Sequence, residues 1–212
     1  ATGGGSAILP TPAIGAIGLM KDWRTAVGTR FEYEGDLIAV IGSGPGHLGQ
    51  SLWLREIHGR EDGSPPPVDL GAERMIAEAI REMVDWGSVT AVHDIADGGL
   101  LVAITEMALA SGIGAELDAG EGTAFWFGED QGRYVVTVSD VSRFENFFVS
   151  KLEGAVRYIG KTGGRASCQP PWTGSVICVW MAVSVSSASG CARSSFSTRC
   201  AAARANRTKA RS

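Results

Sequence analysis

Two hydrophobic periods run through the first three quarters of the chain. Residues 36–41 (DLIAVI) form a short continuous apolar run of the buried-strand type. Residues 69–86 carry Met75, Ile76, Ala79, Ile80 and Met83 at i, i+3, i+4 and i+7 spacing behind a capping Asp69. That spacing predicts an amphipathic helix. A strand is predicted over 89–93 and a tight turn over 94–99 (DIADGG). A helix over 100–111 follows, stopped by Gly112. Further strands are predicted at 133–138 (RYVVTV) and 155–160, with a helix between them at 142–152. Residues 50–58 read as a short helix, and Phe125 and Phe127 lie in a brief apolar run before Gly128. Strands alternating with helices over roughly 120 residues predict an α+β domain, a central mixed sheet flanked by helices in an α/β/α layering.

Between these elements lie segments that carry chemistry. Residues 42–49 (GSGPGHLG) match GxGxxG between a strand and a helix. The helix that follows is only about nine residues long, and the acid expected ~20 residues on falls beside the polyproline stretch at 65–67. A loop that needs close backbone approach is therefore the better reading than a dinucleotide fingerprint. The turn at 93–99 places Asp94 and Asp97 three residues apart, ahead of Gly98, Gly99 and a helix N-terminus. That arrangement suits phosphate or Mg²⁺–phosphate binding, although Asp97 could equally be a simple cap. Glu129, Gln131 and Arg133 alternate. In an extended stretch they would share one face and could read a polar ligand. A solvated approach to the next strand is the plainer alternative. No Ser-His-Asp or Cys-His order stands out around His47, His58 or His93.

Composition changes the picture near residue 160. The whole chain has 212 residues, 44% hydrophobic content and a net charge of −4. Residues 1–153 hold all 23 acidic residues and a net charge of −13, while 154–212 hold nine basic residues, no acid and all four cysteines. Three readings of residues 165–212 compete. A basic tail for nucleic acid conflicts with Trp172, Trp180 and the apolar stretch 176–185. A zinc site conflicts with cysteine spacings of 10, 13 and 9 and the lack of a nearby His. A GC-rich gene read out of frame accounts best for the abrupt loss of acids and the gain of Arg, Ser, Ala and Cys. No apolar run reaches the ~18 residues of a membrane span, and no basic segment precedes an apolar one at the start. The expectation is a soluble cytoplasmic protein without nucleic-acid or membrane partners.

Several of these stretches together resemble the synthetase subunit of phosphoribosylformylglycinamidine synthase. The residues concerned are ILPTPAIG at 8–15, LGQS at 48–51, PVDL at 67–70, HDIADGGL at 93–100 with TEMA at 105–108, FGEDQGR at 127–133, and IGKTGG at 159–164. The resemblance covers about residues 6–164; jointly the motifs are specific, singly each is weak. Ala96 stands where the family usually has Ser, which removes a hydroxyl donor. The family's closing strand, helix and aromatic end are not visible after Gly164.

The resemblance implies a fragment of an ATP-dependent ligase of the aminoimidazole ribonucleotide synthase-related superfamily. Residues 1–30 would end a preceding domain and linker, 31–164 would be the C-terminal α/β/α domain, and 165–212 the anomalous tail. The parent reaction would use ATP and Mg²⁺. Its partners would be a glutaminase subunit, a small accessory subunit and the remaining domains of the same chain. Asp94, Asp97, Gly98, Gly99, Glu129, Gln131 and Arg133 would be the nucleotide- or substrate-binding positions. The catalytic histidine and most metal-binding residues of the family lie upstream of the matching segment, so no catalytic or metal-ligating residue is expected in this chain and no activity from it alone. A non-catalytic accessory module, or another ATP-using member of the superfamily, is the alternative. A domain parted from such a neighbour should expose an apolar face and self-associate. Analytical ultracentrifugation should show association; a monodisperse, cooperatively melting monomer would count against it.

Overall fold

The computed structural model describes residues 13–42, 44, 46–118, 121–146, 152, 154–165 and 183–186. The remainder of the basic segment, with its cysteines, and the first half of the 8–15 motif lie outside the described residues. The apolar run after Asp36 becomes β1 (Leu37–Ile41), in the middle of a six-stranded sheet. The others are β2 (Ala91–Asp94), β3 (Ile113–Asp118), β4 (Tyr134–Val138), β5 (Val156–Arg165) and β6 (Val183–Ser186), in the order β2-β4-β1-β5-β3-β6. The pairings among β1 to β5 are antiparallel, and β6 runs parallel to β3. The sheet is therefore mixed, and the α+β expectation holds.

Strand side chains alternate between faces, and β1 is apolar on both. Ile38 and Val40 pack with Leu100, Ile104 and Met107 from one side. Ala39 and Ile41 pack with Ile76, Ala79 and Met83 from the other. The two helices covering the sheet are α2 (Leu70–Asp85) and α3 (Gly99–Ser111). Asp69 caps α2 by accepting from the Gly71 and Ala72 amides, both at 3.0 Å. Gly112, at φ +76°, ends α3 in the left-handed conformation. Each fully buried Leu, Ile or Met here contributes about 1.5–3 kcal/mol by leaving water. Two layers of helix around one sheet follow directly from a central strand that is apolar on both faces.

Three short helices complete the described fold: α1 (Leu52–His58), α4 (Thr123–Phe127) and α5 (Val141–Phe144). Two elements differ from the sequence expectation in kind. β3 has the alternation Ile113, Ala115, Leu117, but Gly114 and the small Ala115 weaken its strand signal. The apolar run around Phe125 is a helical turn that buries Trp126 and Phe127. Others differ in extent. α5 ends at Phe144, and residues 147–151 of the expected helix lie outside the described residues. β5 continues to Arg165 rather than stopping at Gly160. The segment before β1 makes no ladder with the sheet: Ile14, Ile17, Leu19 and Trp23 are exposed. No helix among the described residues is long and apolar enough to cross a membrane.

Gly160 shows why β5 tolerates so much glycine. Its φ is +152°, beside an irregularity where Ile38 pairs with Gly160 but Ala39 pairs with Tyr158. A Cβ there would fall on the Glu116 carbonyl oxygen of β3. Gly160→Ala should therefore lower unfolding stability by about 1–3 kcal/mol. Gly122→Ala, where a Cβ meets nothing within 4 Å, should stay within about 0.5 kcal/mol. Urea unfolding of both variants measures the contrast.

Candidate functional site

The strand-to-turn passage after β2 sets one wall of the site. Ile95 donates its amide to the Arg133 carbonyl at 2.9 Å, so the β2–β4 pairing extends one step into the turn. Ile95 is buried, while Asp94, Ala96 and Asp97 face solvent. The Gly99 amide closes the turn on the Ala96 carbonyl at 3.0 Å. Gly98 and Gly99 both have positive φ. A Cβ on Gly99 would lie 2.7 Å from Phe127 Cα, so this glycine admits the Phe127–Gly128 backbone rather than a ligand.

The opposite wall is the 128–133 segment, and two adjacent carboxylates organise it. Glu129 Oε1 accepts from the Leu52 amide and from the Gly98 amide, each at 2.8 Å. The Glu129 amide donates to the His47 carbonyl at 2.9 Å. Asp130 Oδ2 accepts from the His47 amide at 3.2 Å and from Arg133 Nη1 at 3.3 Å. That ion pair is almost entirely enclosed, with side-chain exposures of 2% for Arg133 and 6% for Asp130. Arg133 also reaches the Gly128 and Phe125 carbonyls, each at 3.5 Å, and lies 5.6 Å from the Phe125 ring centroid. Burial pushes the Arg133 guanidinium below its usual pKa, and the Asp130 charge opposes that shift. The glycine-rich loop wraps this pair: a Cβ on Gly44 would lie 2.6 Å from Asp130 Cγ. β4 lies between β1 and β2. No adjacent parallel βαβ unit is therefore built on the GxGxxG segment, and its close approach is to Asp130 and Ala124.

Between the walls lies a cleft of about 390 Å³. Of the residues singled out from sequence, Asp94, Asp97, Glu129, Gln131 and Arg133 line it, whereas Gly98 and Gly99 do not. The expected extended face over 129–133 does not form, because Gln131 and Gly132 make a turn with Gly132 at φ +65°. The turn leaves Gln131 exposed and sends Arg133 inward. Sequence reasoning missed Gln50, Glu73 and Tyr134 in the lining. Glu73 sits in the first turn of α2, where an acid reads only as a dipole partner. Its Oε1 is buried without a hydrogen-bond partner in this structure.

Electrostatically the cleft is acidic. Glu73, Asp94, Asp97 and Glu129 line it, and the guanidinium of Arg133 is already paired. None of the three histidines lines it. His93 Nδ1 lies 2.6 Å from the Asp94 carbonyl oxygen, and its Nε2 is 3.4 Å from Glu106 Oε2. His47 Nε2 lies 2.7 Å from the Ser64 carbonyl oxygen. Among the described residues no three His, Cys, Asp or Glu gather as a metal cage. The arrangement suits binding a polar ligand that brings positive charge with it; it holds no nucleophile–base pair.

Comparison with known proteins places these features. Residues 33–170 match the family described as AIR synthase related protein, C-terminal domain. The subunit PurL of phosphoribosylformylglycinamidine synthase from Novosphingobium aromaticivorans is 56% identical over 164 residues, covering 77% of this chain and 22% of its own length. The PurL subunit from Bradyrhizobium sp. (strain BTAi1) is 50% identical over 169 residues, covering 76% and 23%. The chain thus spans less than a quarter of the curated relatives it matches. Among solved structures, Thermotoga maritima PurL complexed with FGAR superposes with a TM-score of 0.53 at 21% identity, over 66% of this chain and 26% of that one. The same protein complexed with ATP gives 0.51 at 19% identity, over 68% and 24%. Those structural matches show the shared fold.

The enclosed ion pair gives a direct prediction. Arg133→Met leaves Asp130 charged and buried, and should cost about 3–5 kcal/mol of stability. Asp130→Asn combined with Arg133→Met should cost clearly less than the sum of the two single changes. Denaturant unfolding of the three variants closes the cycle.

Proposed function

The chain belongs to the AIR synthase related protein family, through its C-terminal domain, and we propose that it is the closing part of a phosphoribosylformylglycinamidine synthase whose cleft is an accessory nucleotide site. The observation that carries this reading is the cleft itself. It lies between two of the segments, 93–100 and 127–133, through which the sequence resembles that synthase. The 50–56% identity to PurL subunits supports it, as do the complexes of T. maritima PurL with ATP, ADP and AMPPCP. In this reading residues 1–30 connect to a preceding domain, 31–164 are the C-terminal domain, and 165–212 are an anomalous basic segment from which β6 joins the sheet beside β3. The synthase as a whole would be a cytoplasmic ATP-dependent carbon–nitrogen ligase of purine biosynthesis. ATP would phosphorylate the amide oxygen of formylglycinamide ribonucleotide, and ammonia would displace that phosphate to give the amidine. A glutaminase subunit would supply the ammonia, with a small accessory subunit completing the assembly. The solved PurLQS structure from T. maritima supports partner subunits of this kind.

In this reading this chain's own share is binding; among the described residues that line the cleft there is no histidine. A bare polyphosphate would meet Glu73, Asp94, Asp97 and Glu129, all acidic, and each like-charge approach is unfavourable. The residues present fit Mg²⁺, which is commonly held by one or two carboxylates, several waters and the phosphates themselves. Asp94 and Asp97 are the exposed carboxylates that would hold it, with waters and the phosphates supplying the remaining oxygens. When bound, the ion would neutralise phosphate charge. Gln131 offers an amide donor and acceptor to the rest of the ligand, and Gln50, whose Nε2 already donates to the Gly63 carbonyl at 2.9 Å, offers its amide oxygen.

Calorimetric titration of the chain with MgATP tests the proposal. Binding should require the divalent ion and disappear with EDTA. Asp94→Asn and Asp97→Asn should each weaken it at least about tenfold, since a lost charged contact is worth roughly 1.5–3 kcal/mol. Binding indifferent to both substitutions, or equally strong without Mg²⁺, would sink it.

A further inference from the structure

We propose that Glu129 is the positioning residue of the cleft: one of its carboxylate oxygens clasps the start of α1 and the turn before α3 and holds them as a single rigid wall. The proposal rests on the reading of the cleft as a nucleotide site, but its structural half can be tested without it. Glu129 Oε1 accepts from Leu52 N and from Gly98 N at the same distance, 2.8 Å. Those two amides are 46 residues apart in sequence and open different helices. Each is a helix-start donor that lacks an intrahelical acceptor. Ser51 caps α1 through Leu54 N, which leaves Leu52 N to Glu129. The residue three positions after Gly98 is Leu101, which has no acceptor to reach back with, so the Gly98 amide depends on one from outside the helix. The Glu129 amide simultaneously holds the His47 carbonyl of the glycine-rich loop. Three segments therefore converge on one residue.

The arrangement also corrects an expectation drawn from sequence. The turn before α3 has the sequence of a ready phosphate cradle, but the Gly98 amide is already occupied by an internal carboxylate. A ligand of the cleft therefore meets Asp94, Asp97 and Gln131 at the rim, while Glu129 fixes where Gln50, two residues before Leu52, stands relative to them. Glu129 does not bind the ligand through those amides; it sets the frame.

The experiment compares the chain with Glu129→Gln, Glu129→Ala and Glu129→Asp. Gln keeps an oxygen at the same reach; Ala removes it; Asp shortens the arm by one methylene. Hydrogen exchange by NMR reports the Leu52 and Gly98 amides, and MgATP titration reports the cleft. In Glu129→Ala both amides should exchange at least about tenfold faster, as expected for two charge-assisted bonds lost together. MgATP affinity should fall at least about tenfold, with Asp intermediate and Gln close to the parent in both readouts. Faster exchange with unchanged MgATP affinity would overturn the positioning role, and so would acceleration at only one of the two amides. If Glu129→Ala fails to fold, Glu129→Asp against Glu129→Gln decides by the same criteria. If no variant binds MgATP, including the parent, the nucleotide reading fails and exchange alone judges the clasp. Both amides rising in Ala and protected in Gln uphold it; neither rising rejects it.

Discussion

Two neighbouring carboxylates, Glu129 and Asp130, supply acceptors that three separate loops lack, and the cleft exists because they do. Glu129 takes the amides of Leu52 and Gly98. Asp130 takes the His47 amide and neutralises the enclosed Arg133. A backbone donor buried without an acceptor costs about 1–3 kcal/mol, and an unpaired buried charge costs more. Loops 42–51, 94–99 and 125–133 are thus fixed against one another by polar contacts, where elsewhere in the molecule helices are fixed by apolar packing. The glycines follow from the same constraint. Gly44 lets Asp130 in, and Gly99 lets the Phe127–Gly128 backbone against the start of α3. They serve contacts within the protein, although their spacing suggests a ligand.

The parts of the fold legible in the sequence are those governed by one strong periodic signal. α2 shows its buried face as Ile76, Ala79 and Met83, and its start as Asp69. β1 is continuous because both of its faces are covered. β3 was hidden because its strand signal rests on alternation through Gly114 and Ala115, where small side chains carry little preference; what holds it is pairing with β5. α4 is a five-residue turn stabilised by the burial of Trp126 and Phe127 against the rest of the core. Tertiary packing decides both, and periodicity does not reach that far.

The candidate site was legible as a set of residues and not as a set of roles. Asp94, Asp97, Glu129, Gln131 and Arg133 do line one cleft. The sequence could not reveal that Gln131 and Gly132 turn, so that Gln131 points to solvent and Arg133 is sealed against Asp130. Nor could it separate the structural carboxylates, Glu129 and Asp130, from the exposed ones, Asp94 and Asp97; the four look alike in composition. Glu73 was invisible because it reaches the cleft from α2, more than fifty residues before the segment it faces. The resulting acid excess becomes apparent only when the walls are assembled.

Backbone amide chemical shifts recorded during titration with MgATP would locate the ligand. The largest changes should fall on Gln50, Asp97, Gln131 and Gly132, all around the one cleft. Changes centred instead on the separate depression lined by Glu34, Gly35, Lys161 and Thr162, or no changes at all, would contradict a nucleotide site in this cleft.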